Sequence, residues 1–209
     1  MKIACLHTAD VHVATFGALM DGPDRAIRHI VRPDLLTRAQ ADGVDSVGGE
    51  VLALLSELAS ADAVLCTCST LGVIVDQIGL EHVLRIDRPA MNAALKHGPK
   101  VMLAICLDST RMASLSLLND CAAGDPLEPT VVLCTDAWAA FLAGDMDGFA
   151  DKIVRHIHAI CANTQFDAIV LAQASMQVAA PRLANLGVPV LTTPAPAAEA
   201  TLAVAQARS

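Results

Sequence analysis

The chain has 209 residues, of which 54% are hydrophobic and only 2% aromatic, and its formal net charge is -8. This length allows one large domain or two smaller ones packed together, with a core built mainly from Ala, Val and Leu. The negative charge and the lack of a basic run argue against nucleic acid and anionic membrane as partners.

The seven cysteines are odd in number and lie mostly inside apolar runs. A secreted disulfide framework looks different, so we expect a reducing, cytoplasmic location. The N-terminal stretch MKIACLHTADVH becomes polar after about five apolar residues, which predicts a first strand and not a signal peptide. No apolar stretch approaches the roughly 20 residues of a membrane span.

Eight short apolar runs predict eight strands. In chain order they are KIACL (2–6), IRHIV (27–31), AVLCT (63–67), HVLRI (82–86), KVMLAI (100–105), TVVLC (130–134), DAIVLA (167–172) and VPVLT (188–192). Between most of these runs lie segments whose apolar residues have helical spacing, which predicts helices at 11–20, 48–60, 88–97, 109–122, 147–162, 175–186 and 195–207. Alternating strands and helices predict an α/β fold with parallel sheets, in which ligands bind beyond the carboxyl ends of the strands.

The chain also repeats itself. SADAVLCTCSTLG (60–72) resembles QFDAIVLAQASMQ (165–177), and HVLRIDRPAMNAAL (82–95) resembles VPVLTTPAPAAEATL (188–202). Two matches at nearly equal spacing predict two similar α/β lobes related by pseudo-twofold symmetry, with the active site in the cleft between them.

The predicted division follows from this repeat. We assign residues 1–97 and the C-terminal segment, about 193–209, to the first lobe, and residues 98–192 to the second. The C-terminal helix fits either lobe on sequence grounds.

The stretch DAVLCTCSTLG (62–72) holds two candidate thiols. Cys68 lies six residues after Asp62, and Gln173 lies six residues after Asp167 in the second half. This correspondence favours Cys68 over Cys66 as the reactive thiol. The alternative is a small buried cysteine with a packing role only.

We predict no metal site, because CTC has no second Cys/His cluster at ligand spacing. The chain contains neither GxGxxG nor GxxxxGK[ST], so no nucleotide cofactor is implied.

The motifs IACLHT, LCTCSTLG, RIDRPAM, VLAQASMQVAAP and GVPVLTTPAPAA follow one another in an order that resembles the aspartate/glutamate/hydantoin racemase superfamily. That superfamily also contains arylmalonate decarboxylases and maleate isomerases. The resemblance covers nearly the whole chain. It implies two α/β lobes, no cofactor, a small carboxylate substrate and a homodimer or higher homo-oligomer.

The resemblance also implies roles for individual residues. Cys68 matches the first of two thiols that flank the substrate's α-carbon, and Ser69 and Thr70 match the adjoining carboxylate cradle. The second thiol position is Gln173, followed by Ala174 and Ser175. Ser and Thr at these positions are also common helix caps, and both roles are compatible.

Further candidates follow the first predicted strand of each half. His7 and Thr8 come after KIACL, and His7 is a candidate for the missing acid/base partner of Cys68. Cys106 and Thr110 follow KVMLAI and are candidate substrate contacts. For each of these residues, packing or capping is the alternative.

We therefore expect a cofactor-independent racemase or isomerase that transfers a proton through Cys68. Because Gln cannot exchange protons at neutral pH, symmetric two-thiol chemistry does not carry over directly. A decarboxylase or cis–trans isomerase of the same superfamily is one alternative. A catalytically inactive carboxylate-binding protein is the other.

Overall fold

The computed structural model describes residues 1–209 and contains eight strands in two four-stranded parallel sheets. The first sheet has the order β2-β1-β3-β4, with strands β1 (Lys2–His7), β2 (Ala26–Val31), β3 (Ala63–Cys66) and β4 (Val83–Arg85). The second has the order β6-β5-β7-β8, with strands β5 (Val101–Ile105), β6 (Thr130–Leu133), β7 (Ala168–Leu171) and β8 (Val190–Thr192). The prediction of an α/β fold built on two parallel sheets is confirmed.

Nine α-helices accompany the strands. They are α1 (Val11–Met20), α2 (Pro33–Asp42), α3 (Gly48–Leu58), α4 (Gly72–Ile78), α5 (Arg88–Leu95), α6 (Arg111–Ala122), α7 (Thr135–Leu142), α8 (Met146–Cys161) and α9 (Pro194–Arg208). Short 3-10 segments occupy Val44–Val47, Ser69–Leu71 and Asp108–Thr110, and a longer one spans Ala174–Leu186. None of the helices is both long enough and apolar enough to span a bilayer.

Helices α2, α4 and α7 lie outside the helical segments predicted from apolar spacing. Helix α2 is largely polar, with only Leu35 and Ala39 buried, so its apolar periodicity is weak. Helix α7 has only eight residues, which is too short for a clear helical period. Proline at the first turn of α2 is consistent with a helix start, because its missing N–H has no intrahelical acceptor there.

The chain forms two compact lobes. The first comprises Met1–Asp87 and Pro194–Ser209, and the second comprises Arg88–Thr193. Helix α5, which follows β4 in sequence, packs against α6 and β7 of the second lobe, whereas α9, which follows β8, packs against α1 and β3 of the first. Each lobe is thus completed by a helix from the other half of the sequence. The sequence-based division placed residues 88–97 with the first lobe.

Helices cover both faces of the second sheet. Met102, Ala104 and Cys106 belong to one apolar cluster, and Val101, Leu103 and Ile105 belong to another. Successive side chains of a strand point to opposite faces, so β5 contributes to two separate cores. Burial on both faces explains why this strand reads as a continuous apolar run without alternation.

The internal repeat is visible in matching hydrogen bonds. Asp62 accepts a bond of 2.7 Å from the backbone N–H of Lys2, and Asp167 accepts one of 2.8 Å from that of Lys100. In each lobe the aspartate therefore joins the start of the third strand in sequence to the start of the first. Six residues later, each lobe has a turn at the carboxyl end of its sheet.

Candidate active site

Cys68 lies in the turn that connects β3 to α4. The backbone is extended at Cys68 (φ -107°, ψ 110°), and a 3-10 turn, Ser69–Leu71, follows it. The turn is anchored at Thr67, whose N–H donates to the carbonyl of Leu6 at 2.9 Å. The side chain of Cys68 is largely buried, with 7% exposed.

Hydrogen-bond donors surround the sulfur of Cys68. The hydroxyls of Thr8 and Thr70 and the backbone N–H groups of Leu71 and Thr70 stabilise a thiolate at this position. Burial has the larger and opposite effect, so the pKa of Cys68 lies above its usual value. Cys68 is therefore a protonated thiol at neutral pH, with a set of donors that can stabilise its anion.

The reactivity of Cys68 should depend on the hydroxyl of Thr8. We expect iodoacetamide to modify Cys68 slowly at pH 7 and faster as the pH rises, because only the thiolate reacts. A hydrogen bond to a charged group contributes about 1.5–3 kcal/mol, so Thr8→Val should slow the reaction at fixed pH by about 10–160-fold. Thr8→Ser keeps the donor and is the matched control. Peptide mass spectrometry would assign the modified cysteine, and equal rates for Val and Ser variants would contradict the proposed hydrogen bond.

Cys66 has a different environment from Cys68. Its side chain is fully buried in the core of the first lobe, and its thiol contacts the carbonyl of Cys68 at 3.9 Å. Burial raises the pKa of Cys66 to about 12. Cys66 therefore has the surroundings of a structural cysteine, in contrast to the donors around Cys68.

A buried ion pair supports the turn that carries Cys68. Arg85 Nε donates to Asp87 Oδ1 at 2.7 Å, and both side chains are at most 3% exposed. A second carboxylate, that of Asp76 on α4, also binds the guanidinium of Arg85. Gly72 begins α4 so close to this group that a Cβ built on it would lie 2.6 Å from Arg85 Cζ. A side chain at position 72 would therefore require the guanidinium of Arg85 to move.

We therefore expect Gly72→Ala to be destabilising. Arg85 is held by two carboxylates and cannot move aside freely, so the methyl group should cost about 1–3 kcal/mol of unfolding free energy as overpacking. Gly49→Ala is the matched control, because Gly49 is a helical glycine whose added Cβ would contact nothing. That control should be neutral or stabilising by about 0.5–1 kcal/mol. Urea unfolding of both variants would check the difference.

His7 lies at the end of β1 and is engaged within the first lobe. Its Nδ1 lies 2.8 Å from Thr67 Oγ1, and its Nε2 lies 2.8 Å from Nδ1 of His29. Burial, together with the nearby His29 and His12, lowers the pKa of His7 to about 3, so its imidazole is neutral at physiological pH. The acid/base role predicted for His7 stays a prediction.

The second lobe has a corresponding turn after β7. Gln173 is extended (φ -124°, ψ 141°) and precedes the 3-10 segment Ala174–Leu186, as Cys68 precedes its own 3-10 turn. Oε1 of Gln173 accepts a 2.5 Å hydrogen bond from the N–H of Cys106. Gln173 is thus fixed to the end of β5, just as Cys68 is bound by Thr8 at the end of β1. That the two turns face each other stays a prediction.

The remaining predicted residues occupy the same turns or their neighbours. Ser69 and Thr70 are buried in the 3-10 turn after Cys68, and Ala174 and Ser175 are buried at the start of the segment after Gln173. Thr110 is fully buried at the end of a 3-10 turn before α6. Burial raises the pKa of the Cys106 thiol, and the nearby Cys134 and Asp136 raise it further. Their predicted contacts with substrate stay predictions.

Sequence reasoning missed several residues that shape this site. Arg85 and Asp87 occur in the RIDRPAM motif, but nothing in the sequence shows that they form a buried pair beneath α4. The N–H of Leu71 was also missed, because backbone donors leave no signal in residue type. His29 was passed over because its proximity to His7 depends on the pairing of β1 with β2.

No protein-family model and no curated protein sequence matches the chain. Solved structures are similar over almost its whole length. Aspartate racemase from Picrophilus torridus is 15% identical, with a TM-score of 0.74, 98% of this chain covered and 94% of that one. Glutamate racemase RacE1 from Bacillus anthracis is 16% identical, with a TM-score of 0.76, and the match covers 99% of this chain and 82% of the racemase.

A mutant of arylmalonate decarboxylase, in a form associated with sulfate ion, is also similar. It is 19% identical, with a TM-score of 0.61, and the match covers 100% of this chain and 95% of the decarboxylase. At these identities the similarity is one of fold, and it extends to enzymes with two different reactions. The chain therefore has the same two-lobed α/β fold as these racemases and the decarboxylase, which is the fold that its sequence motifs predicted.

Proposed function

We propose that this protein is a cofactor-independent enzyme that transfers a proton at the carbon next to a carboxylate of a small acid, with the thiol of Cys68 as the acid/base group. Aspartate, glutamate and aryl-substituted malonates are the acids to test first, because structural neighbours are named for them. Ser69 is proposed to bind the carboxylate through its hydroxyl and backbone N–H groups, beside Thr70, whose hydroxyl and N–H bind the sulfur of Cys68.

The observation that carries this proposal is the donor set around the sulfur of Cys68. A thiol that only fills space needs no hydrogen bonds, whereas this sulfur has hydroxyl and N–H donors from Thr8, Thr70 and Leu71. Such donors lower the free energy of a thiolate and so support reversible proton transfer.

Gln173 supports a second candidate, in which the protein protonates a planar intermediate from one face only. The position in the second lobe that corresponds to Cys68 holds an amide in place of a thiol. An amide neither gives nor takes a proton at neutral pH, so proton transfer from that side is not expected. The raised pKa of Cys68 also favours a protonated resting thiol, which suits a proton donor better than a base. A decarboxylase, or an isomerase with this one-sided chemistry, is therefore the second candidate.

Incubation of candidate acids in deuterated water separates these functions. Exchange at the α-position without loss of carbon dioxide supports a racemase. Release of carbon dioxide, with deuterium delivered to one face, supports a decarboxylase. Proton NMR follows the first reaction, and chiral chromatography with gas release follows the second.

An inactive carboxylate-binding protein makes a different prediction. It would leave every acid unchanged, and yet small carboxylates would still protect Cys68 from iodoacetamide. Absence of both exchange and protection across the panel would contradict the proposed substrate class.

A further inference from the structure

A group of three metal-binding side chains lies on one face of the first sheet, apart from Cys68. Cys5 and His7 are two residues apart on β1, so their side chains share a face. His29 on β2 is the register partner of Cys5. One ligand atom from each of the three residues lies within 4.8 Å of the other two. We propose that Cys5, His7 and His29 form a binding site for a divalent cation of the zinc type.

The hydrogen bonds of Thr67 prepare His7 for this role. The Thr67 hydroxyl donates to the carbonyl of Leu6 at 3.2 Å, so it accepts the Nδ1–H of His7 at 2.8 Å. The lone pair of His7 Nε2 is thereby directed toward His29 Nδ1, 2.8 Å away. Metal-binding histidines characteristically donate their other ring N–H to such a partner, which fixes the tautomer and the ring orientation.

The donor set and its dimensions suit zinc. One thiolate and two imidazoles are ligands that Zn²⁺ prefers, and in a tetrahedral site they lie about 3.3–3.7 Å apart. The separations between the three atoms, at most 4.8 Å, would have to change by no more than about 1.5 Å to reach these values. The thiol proton of Cys5 is released to solvent, and the Nδ1 proton of His29 moves to Nε2. Water completes the coordination, and the half-buried ring of His29 provides the route of entry.

A cation bound here would join β1 to β2 beneath α1, whose Phe16 ring lies 5.8 Å from that of His7. It would also fix Thr67, the residue before Cys68. The inference does not depend on the proposed function, because none of the three ligands contacts a substrate in that proposal.

Cobalt is the direct probe of this site. The whole 209-residue chain, treated with a chelator and kept reduced, should bind one Co²⁺. The spectrum should show visible bands typical of four-coordinate cobalt and a near-ultraviolet thiolate-to-cobalt charge-transfer band, and Zn²⁺ should abolish both. Cys5→Ser should remove the charge-transfer band, and His29→Gln should lower the affinity by at least about tenfold.

Two further variants complete the test. Thr67→Val removes the hydroxyl that accepts from His7 Nδ1 and donates to the Leu6 carbonyl. It should lower cobalt affinity by about 10–100-fold without changing the spectrum. Cys134→Ser removes an equally buried thiol from the second lobe and should leave cobalt binding unchanged. A folded chain that does not bind cobalt, or a charge-transfer band that persists in Cys5→Ser, would overturn the proposal. If Cys5→Ser does not fold, an unchanged affinity in His29→Gln would overturn it equally.

Discussion

Replacement of Cys68 by Ala should reduce α-proton exchange or decarboxylation on the true substrate by about 10²–10⁴-fold, the usual contribution of a positioned acid/base group. The reason is chemical, since the donors from Thr8, Thr70 and Leu71 stabilise an anion that Ala cannot form. Cys68→Ser should be impaired to a similar extent, because a serine hydroxyl ionises far less readily than a thiol.

The matched control for Cys68 is its neighbour. Cys66→Ala removes a buried thiol from the same segment but leaves the donors around Cys68 in place. It should retain activity within a few-fold while losing some stability, and urea unfolding of both variants would separate the two effects. Full activity of Cys68→Ala would show that Cys68 is not the acid/base group.

Removal of the carboxylate of Asp87 should have the largest effect on stability. Asp87 is fully buried and pairs with Arg85, whose side chain is 3% exposed, so Asp87→Ala leaves a buried guanidinium without its main partner. Loss of one member of a buried pair costs about 3–5 kcal/mol of unfolding free energy. Asp120→Ala removes the exposed Arg88–Asp120 pair instead and should cost less than about 1 kcal/mol.

A double variant distinguishes the loss of the ion pair from a general packing defect. Arg85→Met with Asp87→Leu replaces both charges by apolar groups and should recover much of the lost stability. Far-UV circular dichroism would follow unfolding of the whole chain. The single tryptophan, Trp138, lies in the second lobe, so its fluorescence reports on a region that the substitutions do not touch. A double variant as unstable as Asp87→Ala would contradict this explanation.

Much of the fold could be predicted from the sequence because its strands are short, apolar and separated by helical segments. The repeat also identified the two turns of the candidate site, since Asp62 and Asp167 each immediately precede a strand, and Cys68 and Gln173 follow six residues later. Both aspartates accept a backbone hydrogen bond in the structure, which gives the sequence match a physical basis.

What the sequence could not predict depends on tertiary contacts. The raised pKa of Cys68 follows from burial, whereas residue types alone suggested only the donors that lower it. The proximity of Cys5 and His29 requires the register of β1 against β2, which no local pattern encodes. Helices α5 and α9 were predicted as elements, but the lobe that each one covers is decided by packing.

Helix α5 follows the first sheet in sequence but packs in the second lobe, and α9 follows the second sheet but packs in the first. This arrangement affects the order in which the protein can fold during synthesis. All parts of the second lobe, from Arg88 to Thr193, leave the ribosome before α9 does. The first lobe begins the chain, yet its β1 and β3 lack the covering α9 until residues 194–208 have emerged. Domains generally fold from the N-terminus onward during translation. In this protein the second lobe is the first to have all its elements, and the lobe that carries Cys68 is completed last.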